Sequence, residues 1–116
     1  MRRYMLKSKI HGAVVTESNV DYTGSITIDE ALMNAADLIE YEKVLIGNLT
    51  NGNRVETYVI RGKKNFGVVG MNGAAAHLCQ VGDKILIMSF TVLDGEKAEK
   101  HKPKIIFLDA RNKIKK

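Results

Sequence analysis

From Lys43 onward the sequence is a succession of short apolar-alternating runs with little helical spacing between them, and this constrains the fold more than any other feature. Val44-Leu45-Ile46 leads through Asn48-Leu49-Thr50 and Asn51-Gly52 into Arg54-Val55-Glu56-Thr57-Tyr58-Val59-Ile60. Asn-Gly accepts positive φ at little cost, so it predicts a hairpin joining these two runs. Phe66 to Val69, Lys84 to Leu93 and Lys104 to Leu108 predict further strands, with Asn72-Gly73-Ala74-Ala75-Ala76-His77 as a short helical turn. Upstream, Tyr4 to His11 alternates in period two; this puts Tyr4, Leu6 and Ile10 on one face and Lys9 with His11 on the other. Glu17-Ser18-Asn19 and Asp21 to Ser25 read as polar loop and turn, where a strand is not expected. Thr27-Ile28-Asp29-Glu30 has the form of a capping box, and Ala31, Leu32, Ala35, Ala36, Leu38 and Ile39 continue it at helical spacing. Six strands with one or two short helices predict a mainly β fold. A small closed barrel suits it better than an open sheet, because closure removes edges that a short chain cannot cover.

With 116 residues and one proline, the chain fits a single domain. Hydrophobic residues at 45% and charged residues at 27% exclude a disordered or collagenous chain. Apolar runs such as Ile85 to Met88 fall far short of the roughly 18 residues of a membrane span, and no signal-peptide core follows Met1-Arg2-Arg3, so a cytoplasmic protein without a membrane partner is expected. Cys79 alone can form no internal disulfide, in keeping with a reducing compartment. The histidines His11, His77 and His101 are too scattered to suggest a metal site, and none is expected. The net charge of +5 is concentrated at one end: residues 97–116 carry eight bases against two acids, and the body is near neutral. A solvated, partly flexible basic terminus is the reading favoured over nucleic-acid binding, since aromatics are not interleaved with the bases.

Spacing alone offers Lys9 with His11 on one strand and Arg54 with Tyr58 on another as candidate functional groups. A guanidinium presents a planar fork for a carboxylate, and a phenol can pass a proton. Taken singly, each fits a structural role as well: Arg54 as a solvated strand end, Tyr58 as half-buried packing, Lys9 as surface charge and Gly24-Ser25 as a turn.

Together they resemble the pyruvoyl-dependent aspartate 1-decarboxylases. The residues concerned are Met5-Leu6-Lys7-Ser8-Lys9-Ile10-His11, Tyr22-Thr23-Gly24-Ser25, Thr50-Asn51-Gly52-Asn53-Arg54 with Thr57-Tyr58, Asn72-Gly73-Ala74-Ala75-Ala76-His77, and Val81-Gly82-Asp83, in the family's order and spacing across about residues 1–94. The resemblance implies a double-psi β-barrel, a homotetramer with sites between subunits, and a proenzyme that cuts itself into residues 1–24 (β chain) and 25–116 (α chain). It implies that the Ser25 hydroxyl attacks the Gly24 carbonyl, that Thr57 stabilises the oxyanion, and that Ser25 ends as a pyruvoyl group. Gly24 suits such a step, because a residue without Cβ tolerates strained backbone.

By the same resemblance L-aspartate forms a Schiff base with that group, and loss of CO2 followed by protonation from Tyr58 gives β-alanine for pantothenate and coenzyme A synthesis. No metal and no pyridoxal phosphate is implied. Lys9, Arg54 and Thr57 correspond to charged and polar substrate contacts, Gly73, Ala74 and Ala75 to backbone contacts, and His11, Tyr22 and Asn72 to supporting positions. Gly47 stands where some members carry a tryptophan, which requires a different pocket wall. Whether cleavage is spontaneous or assisted by a maturation factor is left open. The competing class is a small-barrel nucleic-acid-binding or adaptor module, which would leave the chain whole and bind anions in a salt-dependent way.

Overall fold

The computed structural model describes residues 1–116. Eight strands form one sheet: β1 (Arg2–Val14), β2 (Glu17–Asn19), β3 (Ser25–Asp29), β4 (Lys43–Asn48), β5 (Arg54–Gly62), β6 (Val69–Asn72), β7 (Lys84–Asp94) and β8 (Lys104–Phe107). Two short helices, α1 (Glu30–Ala36) and α2 (Gly95–Lys100), and a 3-10 helix at Gly73–His77 complete the chain. The strand order is β2-β6-β3-β5-β4-β7-β1-β8. Chain connectivity shows that this sheet is curled. β1 and β2 stand six places apart in the order, roughly 29 Å in a flat sheet, yet the two residues between them span only about 10 Å. Val15 and Thr16 bridge the gap, the Thr16 amide donating to the Val69 carbonyl of β6 at 2.8 Å.

The expected hairpin is present as β4–β5, paired from Gly47–Arg54 to Lys43–Tyr58, with Gly52 at φ +81° in the connection. Two strands stand where none was expected. Glu17-Ser18-Asn19 pairs in parallel with β6, and Ser25–Asp29 lies between β6 and β5. The strand expected at Phe66 to Val69 is displaced: Val69–Asn72 pairs, while Phe66 is 67% exposed outside it. Thr27 is a strand residue and not the helix cap. Asp29 caps α1, accepting from the Ala31 amide at 2.8 Å. The same buried carboxylate accepts from the Asn65 and Gly67 amides at 2.9 and 2.8 Å. Burial pushes its pKa up, but the amides of Asn65, Gly67 and Ala31, with the charge of Lys113, outweigh that and hold it below the ordinary value.

β1 also departs from simple alternation. Its ladder with β7 slips by one residue between Leu6 and Ser8, and again between His11 and Ala13, where Gly12 takes φ +83°. A one-residue bulge exchanges the faces of everything beyond it. Leu6 therefore pairs with Phe90 and Tyr4 with Val92 on the outer face, while Ile10 pairs with Ile87 on the inner. The expected grouping of Tyr4, Leu6 and Ile10 is thereby broken, and Tyr4 and Leu6 share the face of Lys9 and His11.

A cluster of 20 buried residues fills the interior, among them Ile10, Ile26, Ile28, Ile46, Val59, Met71, Ile85 and Ile87. The basic C-terminal segment packs onto this body instead of hanging free in solvent. β8 pairs in parallel with β1, Leu108 is buried, and the Asn112 carboxamide accepts from the Val14 amide at 2.7 Å while donating to the Val14 and Gly67 carbonyls at 2.9 and 2.8 Å. No helix is long and apolar enough to cross a membrane.

Candidate active site

β3 brings Ser25 to the centre of the site. Ile26 and Ile28 are fully buried, each burial contributing about 1.5–3 kcal/mol, which fixes the inner face of the strand. Alternation then sends Ser25 and Thr27 to the opposite face. There the Asn72 side-chain amide donates to the Ser25 hydroxyl at 2.8 Å and to the Thr27 hydroxyl at 3.0 Å. Asn72 is also the β6 partner of Ser25. Thr27, read from the sequence as a helix cap, is thus a member of the site. Only its partner across the sheet, 45 residues away, reveals this.

The preceding peptide is held by backbone contact. Gly73 has φ +69°, and a Cβ there would stand 2.6 Å from the Gly24 Cα, 2.8 Å from the Gly24 nitrogen and 3.1 Å from the Tyr22 carbonyl oxygen. Both the conformation and the close approach exclude a side chain at residue 73. On the other side Gly24 has nothing within 4 Å of its own Cβ position, so that flank is open to approach. Tyr22 itself is exposed, and Ala74 and Ala75 follow Gly73 in the 3-10 helix.

β5 runs alongside. Its parallel ladder with β3 begins at Ile26–Val59, so Ser25, the first residue of β3, stands one position before the ladder, next to Tyr58. Tyr58 pairs with Lys43 of β4, which makes one row of Asn72, Ser25, Tyr58 and Lys43 across four strands. Thr57 pairs with buried Val44 and faces the other way. The ladder to β4 shows no slip and β5 continues to Gly62, so neither a bulge nor a strand end brings Thr57 and Tyr58 to one face. Tyr58 therefore shares the face of Ser25, and Thr57 lies on the opposite face of β5. Lys43 is ion-paired to Glu56 at 2.6 Å, and the hydrogen bond and charge of Glu56 raise the lysine pKa. Tyr41 lies 6.4 Å from the Tyr58 ring, centroid to centroid.

The cationic candidates do not converge on Ser25 within one chain. Arg54 is four residues from Tyr58 along β5, ~13 Å, and Lys9 lies on β1, four strand places from β3, ~19 Å along the sheet. Both occupy the outer face, in neighbouring rows. Arg54, Gly47, Leu86 and His11 form one, and Glu56, Leu45, Met88 and Lys9 the next. Neither Arg54 nor Lys9 has an ion-pair partner, in contrast to Lys7, which reaches Glu42 at 2.7 Å. His11 lies against Phe107, ring centroids 5.2 Å apart. At Gly47 a Cβ would meet Leu86 Cδ1 at 3.8 Å and Met88 Cε at 3.9 Å, so these two side chains form the wall there. Cys79 is buried, and burial pushes its thiol pKa up, which keeps it an unreactive packing residue.

Comparison with known proteins adds a second line. The family model described as aspartate decarboxylase matches residues 1–115. The chain is 53% identical over 113 residues to an aspartate 1-decarboxylase of Thermoanaerobacter pseudethanolicus, with 97% of each chain covered. It is 54% identical over 115 residues to one of Syntrophomonas wolfei, covering 99% of this chain and 98% of the other. With one of Caldicellulosiruptor bescii the identity is 58% over 110 residues, 95% of this chain and 86% of that one.

Proposed function

The chain belongs to the aspartate decarboxylase family, and on that premise we propose that it removes the α-carboxyl of L-aspartate to give β-alanine and CO2, using a pyruvoyl group made from its own Ser25. The observation that carries this reading is the Gly24–Ser25 junction, where a buried hydroxyl is pinned by Asn72 and the adjoining peptide is pressed against Gly73. These residues suit the making of such a group. Asn72 occupies a lone pair of Oγ, which fixes the hydroxyl beside its own peptide and leaves its proton free to be given up on attack. Oγ adds to the Gly24 carbonyl and the C–N bond breaks, so that an ester replaces the amide. Thr57, which precedes Tyr58 on β5, stabilises the oxyanion of that addition. Elimination across Cα–Cβ then releases residues 1–24 with a carboxylate terminus, and hydrolysis with loss of ammonia leaves the ketone at residue 25.

Once formed, the group supplies an electrophilic carbonyl, which ordinary side chains lack, to draw off the charge left as CO2 departs. The remaining work belongs to the chain. Tyr58, next to residue 25 in register, returns a proton to the α-carbon. Arg54 holds a substrate carboxylate through its planar fork, and Lys9 adds a second positive charge without a competing partner. Gly73, Ala74 and Ala75 let the substrate approach the backbone, and Asn72, Tyr22 and His11 support the surrounding surface. Because Lys9 and Arg54 stand far from Ser25 within one chain, we place the complete site between subunits of a homotetramer. The unpaired cations and the exposed apolar residues Tyr4, Phe90, Val92 and Phe107 on the same face support this. The β-alanine serves pantothenate and coenzyme A synthesis in the cytoplasm, where the lone buried thiol is at home.

The test is turnover. Purified protein supplied with L-aspartate and no added cofactor is expected to release CO2 and β-alanine, and hydrazine, which consumes carbonyl groups, should stop it. Turnover that survives hydrazine or the Ser25→Ala substitution contradicts the reading.

A further inference from the structure

One backbone carbonyl outside the site described above has an unusual set of partners. Leu78 ends the 3-10 helix that carries Gly73, Ala74 and Ala75, and its carbonyl oxygen accepts from three side-chain amides, that of Asn48 at the end of β4 at 3.1 Å and those of Asn51 and Asn53 in the β4–β5 connection at 3.4 and 3.3 Å. A carbonyl has two lone pairs, so the three donors share it and no single one carries the contact. Asn48 is buried and is also fixed to the Asp83 carboxylate at 2.8 Å, which makes it a structural post. Asn51 and Asn53 lie nearer solvent, and Asn53 immediately precedes Arg54. Nothing else in their surroundings demands an amide. The Asn51 carboxamide oxygen also closes a local turn by accepting from the Asn53 amide at 2.9 Å, a task serine performs as well.

Resting on the function proposed above, we propose that Asn51 and Asn53 are positioning residues that lock the hairpin carrying Arg54 to the helix carrying the Gly73–Ala75 cradle, thereby setting the aim of the Arg54 guanidinium. The ladder pair Gly47–Arg54 and the Asn48 amide, which donates to the Asn53 carbonyl at 2.8 Å, fix this strand end along β4 only, whereas a bidentate carboxylate contact requires a fork fixed in every direction. The amide donors add a tie across the sheet, from the connection to the 3-10 helix.

The test separates aiming from folding. In Asn51→Ser with Asn53→Ala, serine keeps the local turn while neither side chain reaches Leu78. The variant is expected to cleave itself as the parent does and to keep kcat within about twofold, while KM for L-aspartate rises about tenfold. Arg54→Lys, which loses the fork, should raise KM by itself, and in that background the two asparagine substitutions should add little, because they act through the lost group. Unchanged KM in the asparagine variant overturns the proposal. A KM increase that is fully retained in the Arg54→Lys background also overturns it, as does a matching loss of kcat and cleavage, which marks a purely structural role. Asn53→Ala alone, which leaves Asn51 in place, should show a smaller KM increase of the same kind if the double variant folds poorly; unchanged KM there overturns the proposal too. A parent that does not turn over aspartate refutes the parent function and this inference together. A parent that does so, beside a variant with normal KM, refutes the inference alone.

Discussion

Two glycines of this sheet show the difference between its two functional regions. Gly73 is compelled, since its φ of +69° and its 2.6 Å approach to the Gly24 Cα leave no room for a side chain. Gly47 is not: its Cβ position lies at ordinary van der Waals distance from Leu86 and Met88. The first belongs to the junction around Ser25, where Asn72, Thr27 and the Tyr22–Gly24 backbone are all engaged within one chain. The second belongs to the open outer face, where Arg54 and Lys9 have no ionic partners. Under the proposed function the first region acts on its own backbone, and its reacting groups are covalently present from synthesis, so one chain suffices. Under the proposed function the second region receives a dianion and a neighbouring subunit, for which free cations are suited. Charged groups already paired would have to break a contact before binding.

The largest effect that sharpens this contrast is expected of Gly73→Ala. Left-handed backbone costs a residue with Cβ about 1–2 kcal/mol, and the clash with Gly24 adds to it. The chain should remain largely uncleaved and unfold at lower temperature, as denaturing electrophoresis and a thermal melt will show; normal cleavage would mean that the Gly73 contact does not seat the peptide. Next comes Tyr58→Phe, which should leave cleavage intact and lower kcat by ~10²–10⁴, the range for a positioned proton donor. Full turnover there would move the proton transfer to another group.

Asp29→Asn acts on the far end of the strand that begins with Ser25. Replacing a carboxylate that accepts three backbone amides should cost about 1–3 kcal/mol at neutral pH, read by denaturant unfolding. Because the folded-state pKa of Asp29 lies below the ordinary value, its contribution is present above the unfolded pKa of about 3.9 and is lost as pH falls through the folded one. The gap between parent and variant should therefore close in acid; a gap independent of pH would assign the loss to packing. The smallest effect is that of Gly47→Ala, expected to leave melting temperature and KM nearly unchanged, as a steady-state assay will show. A large loss there would make the outer face as sterically closed as the junction.

What the sequence disclosed follows the distance over which each signal acts. The β4–β5 hairpin was legible because Asn51-Gly52 and the flanking alternation are local. β3 was hidden because its five residues run directly into α1, so Thr27-Ile28-Asp29-Glu30 imitates a capping box two residues too early. β2 was hidden because three polar residues pair in parallel with a strand some 50 residues away, and parallel pairing leaves no turn in the sequence. The bulge at Lys7 reverses the faces of β1 with no local mark beyond the register itself. In the basic terminus composition pointed to solvent, whereas Leu108 and Asn112, two uncharged residues among the lysines, bind it to the body. The site residues were individually ambiguous, and a resemblance in five motifs singled them out. Only the geometry separates the set that meets at Ser25 from the set that does not.

The most direct test of the central claim is an intact-mass spectrum of the purified protein. The account expects two species, residues 1–24 ending in a free carboxylate and residues 25–116 beginning with a keto group in place of the serine amine, the larger one refractory to Edman degradation. A single unmodified chain of 116 residues under every maturation condition would contradict it.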